Sequence, residues 1–438
     1  MITFRSLILW ISLLLLAVSG RALAVPSFAV QTGQQCEACH VGAFGPQLTQ
    51  LGRQFKLNGY TMSDGDNHFP PLAAMAQTSY THTNAAQPGG AAPGFKGNDN
   101  VALDQASLFY AGRFDDHSGA FIQTTYDGAA NVFHWDQMDV RYANSLALGG
   151  TSLIYGVTLN NNPTVQDLWN STPAWGFPFA ASALAPIPAA ATLIDSTLAQ
   201  KVVGLGGYAS WNDLLFVEFD GYRGLSADAL DKLGITSSSP PNTLHGLSPY
   251  WRIALEHSFG NHYLEVGTFG INAQVFPGAI KRFGADQITD FAVDATYQYN
   301  PAPEYNLSAY ATYIRESQNL HSSQFVAGSQ PSDDLRTLRA NVSFSYKNTY
   351  TLNAQHFETF GSADAALYGT ANGSPNSAGW VGEVDYVPSG KLGSYLPSWL
   401  NVKLQLQYVA YTQFDGSQQG ASNNNTFYSL LWFAVPLN

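Results

Sequence analysis

Beyond residue 72 the chain alternates apolar and polar side chains in segments of about ten residues, separated by clusters of Gly, Asn, Asp, Ser and Pro. In "LNVKLQLQYVAY" (Leu400 to Tyr411), Leu400, Val402, Leu404 and Leu406 fall on one face, and Asn401, Lys403, Gln405 and Gln407 on the other. "LLFVEFDGY" (Leu214 to Tyr222), "HYLEVGTFGI" (His262 to Ile271), "YNLSAYATYI" (Tyr305 to Ile314) and "LRANVSFSY" (Leu338 to Tyr346) repeat the pattern. A period of two predicts strands with one greasy and one wet face. About sixteen such segments are expected, centred near residues 78, 107, 121, 141, 156, 206, 217, 253, 266, 292, 309, 341, 354, 384, 405 and 431. Their connections alternate in length. "NPAP" (Asn300 to Pro303), Lys347-Asn348 and Gly260-Asn261 are tight turns, whereas Asn161 to Gln200, Arg223 to Leu247 and Glu316 to Asp334 are long excursions. Short turns on one rim and long loops on the other predict an all-β fold, a transmembrane barrel of antiparallel strands. A soluble sandwich or solenoid would share the alternation but not the asymmetric loops.

Composition sharpens this. Only 11% of residues are charged and 13% are aromatic, fewer charges than the roughly 25% usual in soluble domains, which suits a wide lipid-facing surface. Near the N-terminus Arg5 precedes an apolar run, Leu7 to Val18, and the small-residue site Ala22 to Ala24. That layout predicts a secretory signal peptide over residues 1–24 and export of the remainder. Removing Arg5 and Arg21 with it takes the net charge from −12 to −14. An acidic chain is a poor partner for nucleic acid or anionic headgroups. The expected organisation is a leader (1–24), a small partly helical segment (25–71) and the barrel (72–438), with both barrel ends on the periplasmic side of a bacterial outer membrane.

The segment ahead of the barrel holds the only two cysteines, in "QTGQQCEACHVG" (Gln31 to Gly42). Cys36-x-x-Cys39-His40 in an exported chain reads as c-type haem attachment: each thiol adds across one haem vinyl group and the adjacent imidazole ligates the iron. Cys36 and Cys39 are thus the expected anchors of one covalent haem c, and His40 its axial ligand. A redox-active disulfide is the plainer alternative, but no βαβ unit surrounds the pair. The following "GPQLTQLGRQFKLNGYTM" (Gly45 to Met62) spaces Leu48, Leu51 and Phe55 for a short amphipathic helix from Pro46 to Asn58-Gly59. For the sixth iron position the sequence offers Met62 or His68 first, then Met75 and His82, or no protein ligand.

Pro26 to Met62, continuing through "PPLAAMAQTSYTHT" (Pro70 to Thr83), resembles the N-terminal segment of the fused monohaem cytochrome-porin family, outer-membrane cytochromes that include iron-oxidising members. The resemblance implies one c-type haem in a small plug in or beneath a barrel of about sixteen strands. It also implies electron transfer from an extracellular donor, ferrous iron being one, to a periplasmic carrier. Cys36, Cys39 and His40 match its attachment motif. On this reading the chain is an electron-transfer protein, with ferrous iron oxidoreductase activity left open; the alternatives are a passive porin for small solutes with the haem segment as plug, and a structural barrel with a disulfide.

Other clusters read more plainly. Asp64, Asp66 and His68 lie in a turn-forming stretch that could also meet a hard cation, and Asp115 to His117 form a turn. Trp169 to Phe179 opens a long excursion that either caps the barrel or enters its lumen. His257, His262 and His356 are expected in the wall.

Overall fold

A computed structural model describes residues 26–66, 69–235, 242–397 and 399–437. Ahead of the barrel lie three short helices, α1 (Pro26–Thr32), α2 (Cys36–Cys39) and α3 (Gln50–Leu57). The barrel begins with β1 (Leu72–Thr83), β2 (Asn100–Arg113), β3 (Ser118–Asp127), β4 (Val132–Leu148) and β5 (Thr151–Asn160). It continues with β6 (Val202–Trp211), β7 (Leu215–Gly224), β8 (Ser248–Phe259), β9 (His262–Phe276), β10 (Asp286–Ala302) and β11 (Tyr305–Asn319). The last strands are β12 (Ser332–Tyr346), β13 (Tyr350–Gly361), β14 (Ser377–Tyr386), β15 (Asn401–Gln413) and β16 (Thr426–Pro436). Each expected segment centre falls inside one of these sixteen strands. A two-residue strand, Thr243–Leu244, adds only a small pairing at the end of β9.

Every strand pairs antiparallel with its sequence neighbours, and β1 pairs with both β2 and β16, from Ala73 opposite Pro436 to Thr83 opposite Thr426. The ring therefore closes and no strand edge is left open. The alternation is resolved as polar-in and apolar-out. On β15, Asn401 and Lys403 are 0% and 1% exposed while Leu404 and Leu406 are 44% and 52% exposed. Val101, Leu205, Phe219, Leu255, Val266, Phe291, Leu352 and Trp380 are exposed in the same way, whereas Asp139, Arg141, Glu218, Arg252 and Glu265 are buried. This distribution is the inverse of a water-soluble domain.

Two boundaries differ from the sequence reading. β10 runs on to Ala302, so the tight turn is Pro303-Glu304 rather than Asn300 to Pro303. The ladder shifts register between Tyr299 and Ala302, and a bulge tolerates Pro301, which has no N–H to donate. Likewise β11 and β12 pair out to Asn319 opposite Ser332, which shortens the third long loop to residues 320–331.

The lumen is occupied. α1 to α3 enter from the short-turn rim, and residues 161–201, between β5 and β6, fold inward from the other. That loop is pinned by ion pairs to the wall: Asp167 to Arg252 at 3.5 Å and Asp195 to Arg339 at 2.6 Å. Arg252 also pairs with Glu265 at 3.0 Å and with Asp294, and Glu316 and Asp290 accept from the Leu193 and Ile194 amides at 2.5 and 2.7 Å. A charge buried in a lumen is tolerated when such partners meet it.

Candidate functional site

The plug is anchored where the cysteines lie. Cys36 to Cys39 form a single helical turn closed by the His40 amide on the Cys36 carbonyl at 2.8 Å. Cys36 Sγ donates to Asn401 Oδ1, the first residue of β15, at 3.1 Å. Glu37 grips the connector between β14 and β15: its amide donates to Gly390 O at 3.0 Å and its carboxylate accepts from the Leu392 amide at 3.0 Å. It also accepts from Asn348 Nδ2 at 3.2 Å, in a second short-rim turn.

α3 starts later than its apolar spacing suggests, at Gln50 rather than Pro46. Thr49 is the cap, its hydroxyl accepting from the Gly52 amide at 3.3 Å. Ahead of it Leu48 bridges back to His40. Gly52 is required by that approach, since a Cβ there would stand 2.3 Å from the Cys39 carbonyl oxygen. Gln50 is exposed and Leu51 and Gln54 are half-buried, while the charged residues of the helix are buried. Arg53 is buried and donates to Gln298 Oε1 at 3.1 Å, and Lys56 Nζ donates to the Val165 and Asp167 carbonyls at 2.8 and 2.5 Å and to Asn170 Oδ1 at 2.9 Å. Burial pushes the Lys56 ammonium down to about 7.

Between plug, wall and inward loop lies a cavity of about 430 Å³, within the range of cofactor pockets. Phe28, Cys39, His40, Leu48 and Phe55 line it from the plug; Met75, Phe109, Phe121 and Trp432 from the wall; Trp175 and Phe179 from the loop. Away from His40 the wall turns polar. Gln105 donates to Gln77 at 2.7 Å, Gln123 to Thr125 Oγ1 at 3.1 Å, and Thr125 to Asp136 Oδ2 at 2.8 Å.

His40 is half-buried, with its Nδ1 wholly enclosed and lacking a hydrogen-bond partner. Burial lowers its pKa to about 4, although the backbone of Gly45 and Gln47 favours the charged ring. A neutral imidazole is the form that ligates a metal, and the His40 ring lines the cavity. Burial pushes the Cys39 thiol up to about 11 and the Cys36 thiol higher still, helped for Cys36 by the neighbouring Cys39 and Glu37 charges. Thiols held in that direction are poor exchange nucleophiles.

The expected residues are therefore brought together only in part. Cys39 and His40 open onto the cavity and suit a planar apolar group with a metal at its centre. Cys36 shares their helical turn, but its sulfur faces Asn401 and Gly390; joining the same group takes a rotation of its side chain that gives up the Asn401 bond. Met62 packs against the aromatic cluster of Phe55, Tyr60, Phe109 and Phe121 and does not line the cavity. His68, like the leader 1–24, lies outside the described residues. His82 sits near the long-loop end of β1, bonded to Asp99 at 2.8 Å. Asp115 accepts from the His117 and Ser118 amides at 2.8 and 2.9 Å, a local turn. His262 stacks on Tyr299 and His356 lies tilted against Trp380, both in the wall.

No protein-family model matches the chain, and no curated protein does. Solved structures that it resembles include the Salmonella typhi OmpF complex with daunomycin, at 12% identity over 84% of this chain and 97% of that one, with a TM-score of 0.46. The anion-selective porin from Comamonas acidovorans aligns at 11% identity over 84% and 98%, with a TM-score of 0.46. The outer membrane channel DcaP of Acinetobacter baumannii aligns at 10% identity over 84% and 96%, with a TM-score of 0.44. The closed ring of the present chain stands on its own strand register.

Lys56 is what sequence reasoning missed as part of the site, and for the excursion opened by Trp169 to Phe179 it left capping the barrel and entering the lumen both open. Trp175, Phe179 and Lys56 meet the cavity through tertiary contacts alone. The one available signal was the period-two placement of charges on strands, Asp139 with Arg141 and Glu218 with Asp220, which marks a lumen furnished with partners for buried cations.

Proposed function

We propose that the chain spans a bacterial outer membrane and carries one covalent haem c in its plug, anchored at Cys36 and Cys39 with His40 as an axial ligand. On this reading it passes electrons from a donor on the long-loop side to a periplasmic carrier. One observation carries the reading: the Cys39-His40 corner of an attachment motif opens onto a cavity with aromatic walls, inside a barrel whose outer face is apolar. A haem bound there supplies reversible one-electron chemistry at its iron.

The chain's own residues do the rest. The barrel crosses lipid with its backbone groups bonded between strands. Phe28, Phe109, Phe121 and Trp175 supply apolar walls to the cavity, and Glu37 with Gly390 holds the plug at the rim facing a soluble carrier. The resemblance of Pro26 to Met62 to the fused cytochrome-porin family supports the same assignment and names ferrous iron as one donor class.

The second reading, a passive porin whose plug narrows the pore, is favoured by the sixteen-strand ring itself, the fold it shares with the porins above. The two separate on single-cysteine variants of the purified barrel. The conduit reading expects a haem-stained band on a denaturing gel that fades in Cys36→Ala and Cys39→Ala, with the barrel still inserted. A wild-type band without haem, together with solute flux that rises on deleting the plug, would leave the porin alone.

A further inference from the structure

We infer that Met75, on the barrel wall, is the second axial ligand of the iron whose first ligand is His40. The inference rests on the haem assignment above and adds to it a ligand from a different part of the chain.

The argument begins with alternation on β1. Ala73, Met75, Gln77 and Ser79 share the inward face of the strand, and Met75 is fixed in register opposite Ser107 of β2 and Ala434 of β16. Its side chain lines the same cavity as Cys39 and His40, and among the described residues it is the only thioether there, as His40 is the only imidazole. Two of the other candidates fail on position, and His68 lies outside the described residues. Met62 packs against the same aromatic cluster as Met75 but does not line the cavity; His82 is bonded to Asp99 further along the strand. A thioether is a soft, neutral donor, and an electron-transfer haem with His and Met ligands has a raised potential. Met75 packs against the cluster that holds Phe109 and Phe121.

The consequence is mechanical as well as electronic. With His40 on the plug and Met75 on the wall, ligation reports whether the plug is seated, and an isolated plug segment lacks half of the iron's protein ligands. Haem attachment, by contrast, depends only on the plug.

The test compares the full-length wild type with Met75→Leu, Met75→His and Met62→Leu, all purified from outer membranes. A haem-stained denaturing gel is run first, then ferric and ferrous spectra and a redox titration. The wild type is expected to show the far-red charge-transfer band of methionine-ligated ferric haem. Met75→Leu, close to isosteric, keeps the covalent haem but loses that band, binds carbon monoxide when reduced and titrates at a lower potential. Met75→His restores a six-coordinate low-spin spectrum without the band, and Met62→Leu matches the wild type. Covalent haem whose spectrum is unchanged in Met75→Leu, or changed in Met62→Leu instead, overturns Met75 and leaves the haem assignment standing. Absence of covalent haem from the wild type overturns both.

Discussion

Lys56 shows how a single side chain couples the plug to the loop that descends from the opposite rim. Its ammonium has three donors, and Val165, Asp167 and Asn170 supply three acceptors. Burial nevertheless drives its pKa down to about 7, below the roughly 10.4 of an unfolded lysine. Between those values the unfolded chain holds the extra proton, so this group makes stability rise with pH across that window, by at most about 1.4 kcal/mol per pH unit. Lys56→Met is expected to flatten that rise, seen as the difference between wild-type and variant urea midpoints from pH 7 to 10. At pH 7 it is expected to cost about 1–3 kcal/mol, because the three acceptors lose their donor. Cys36, Cys39 and His40 could be read together in sequence because their spacing is local, within one helical turn and its end. Lys56 was not, since it reads as the polar side of an amphipathic helix and its acceptors are more than a hundred residues away.

Among elements, the connector between β14 and β15 does for the plug what a socket does. Gly390 adopts φ +72° there, and a Cβ on it would stand 2.8 Å from Cys36 Sγ and 3.0 Å from the Ala43 carbonyl oxygen. Gly246 has φ +74° with nothing within 4 Å of its ideal Cβ, so both alanine variants bear the same backbone cost. Gly390→Ala is expected to be the more destabilising by about 1–3 kcal/mol and to expose the plug to proteolysis; equal melting temperatures for the two would mean the plug does not rest there. The strands themselves were readable one by one, because period-two alternation is local. Their ends were less so: Pro301 looked like a turn residue and is absorbed by a bulge in β10, while Pro46 looked like a helix start and lies in a bend ahead of the bridge from His40 to Leu48.

At the scale of the whole molecule, the barrel sorts its side chains by the medium each face meets, leucines outward and the Arg252 and Lys403 ion pairs inward. That arrangement was legible from low charge content and asymmetric loops. The choice between capping and inward folding for residues 161–201 was not, because the anchors that decide it, Asp167 to Arg252 and Asp195 to Arg339, join residues distant in sequence. With plug and loop both seated, deletion of residues 26–66 is expected to raise ion conductance across planar bilayers, and an unchanged conductance would mean that the plug obstructs nothing. The central claim is that the plug holds a covalent haem, and it is tested most directly by intact mass on the protein purified from outer membranes, beside the Cys36→Ala/Cys39→Ala double variant. The account predicts that the wild type carries the added mass of one haem and the double variant none, with both migrating as folded barrels. A wild type at the bare mass of its mature polypeptide, folded and inserted, would contradict it.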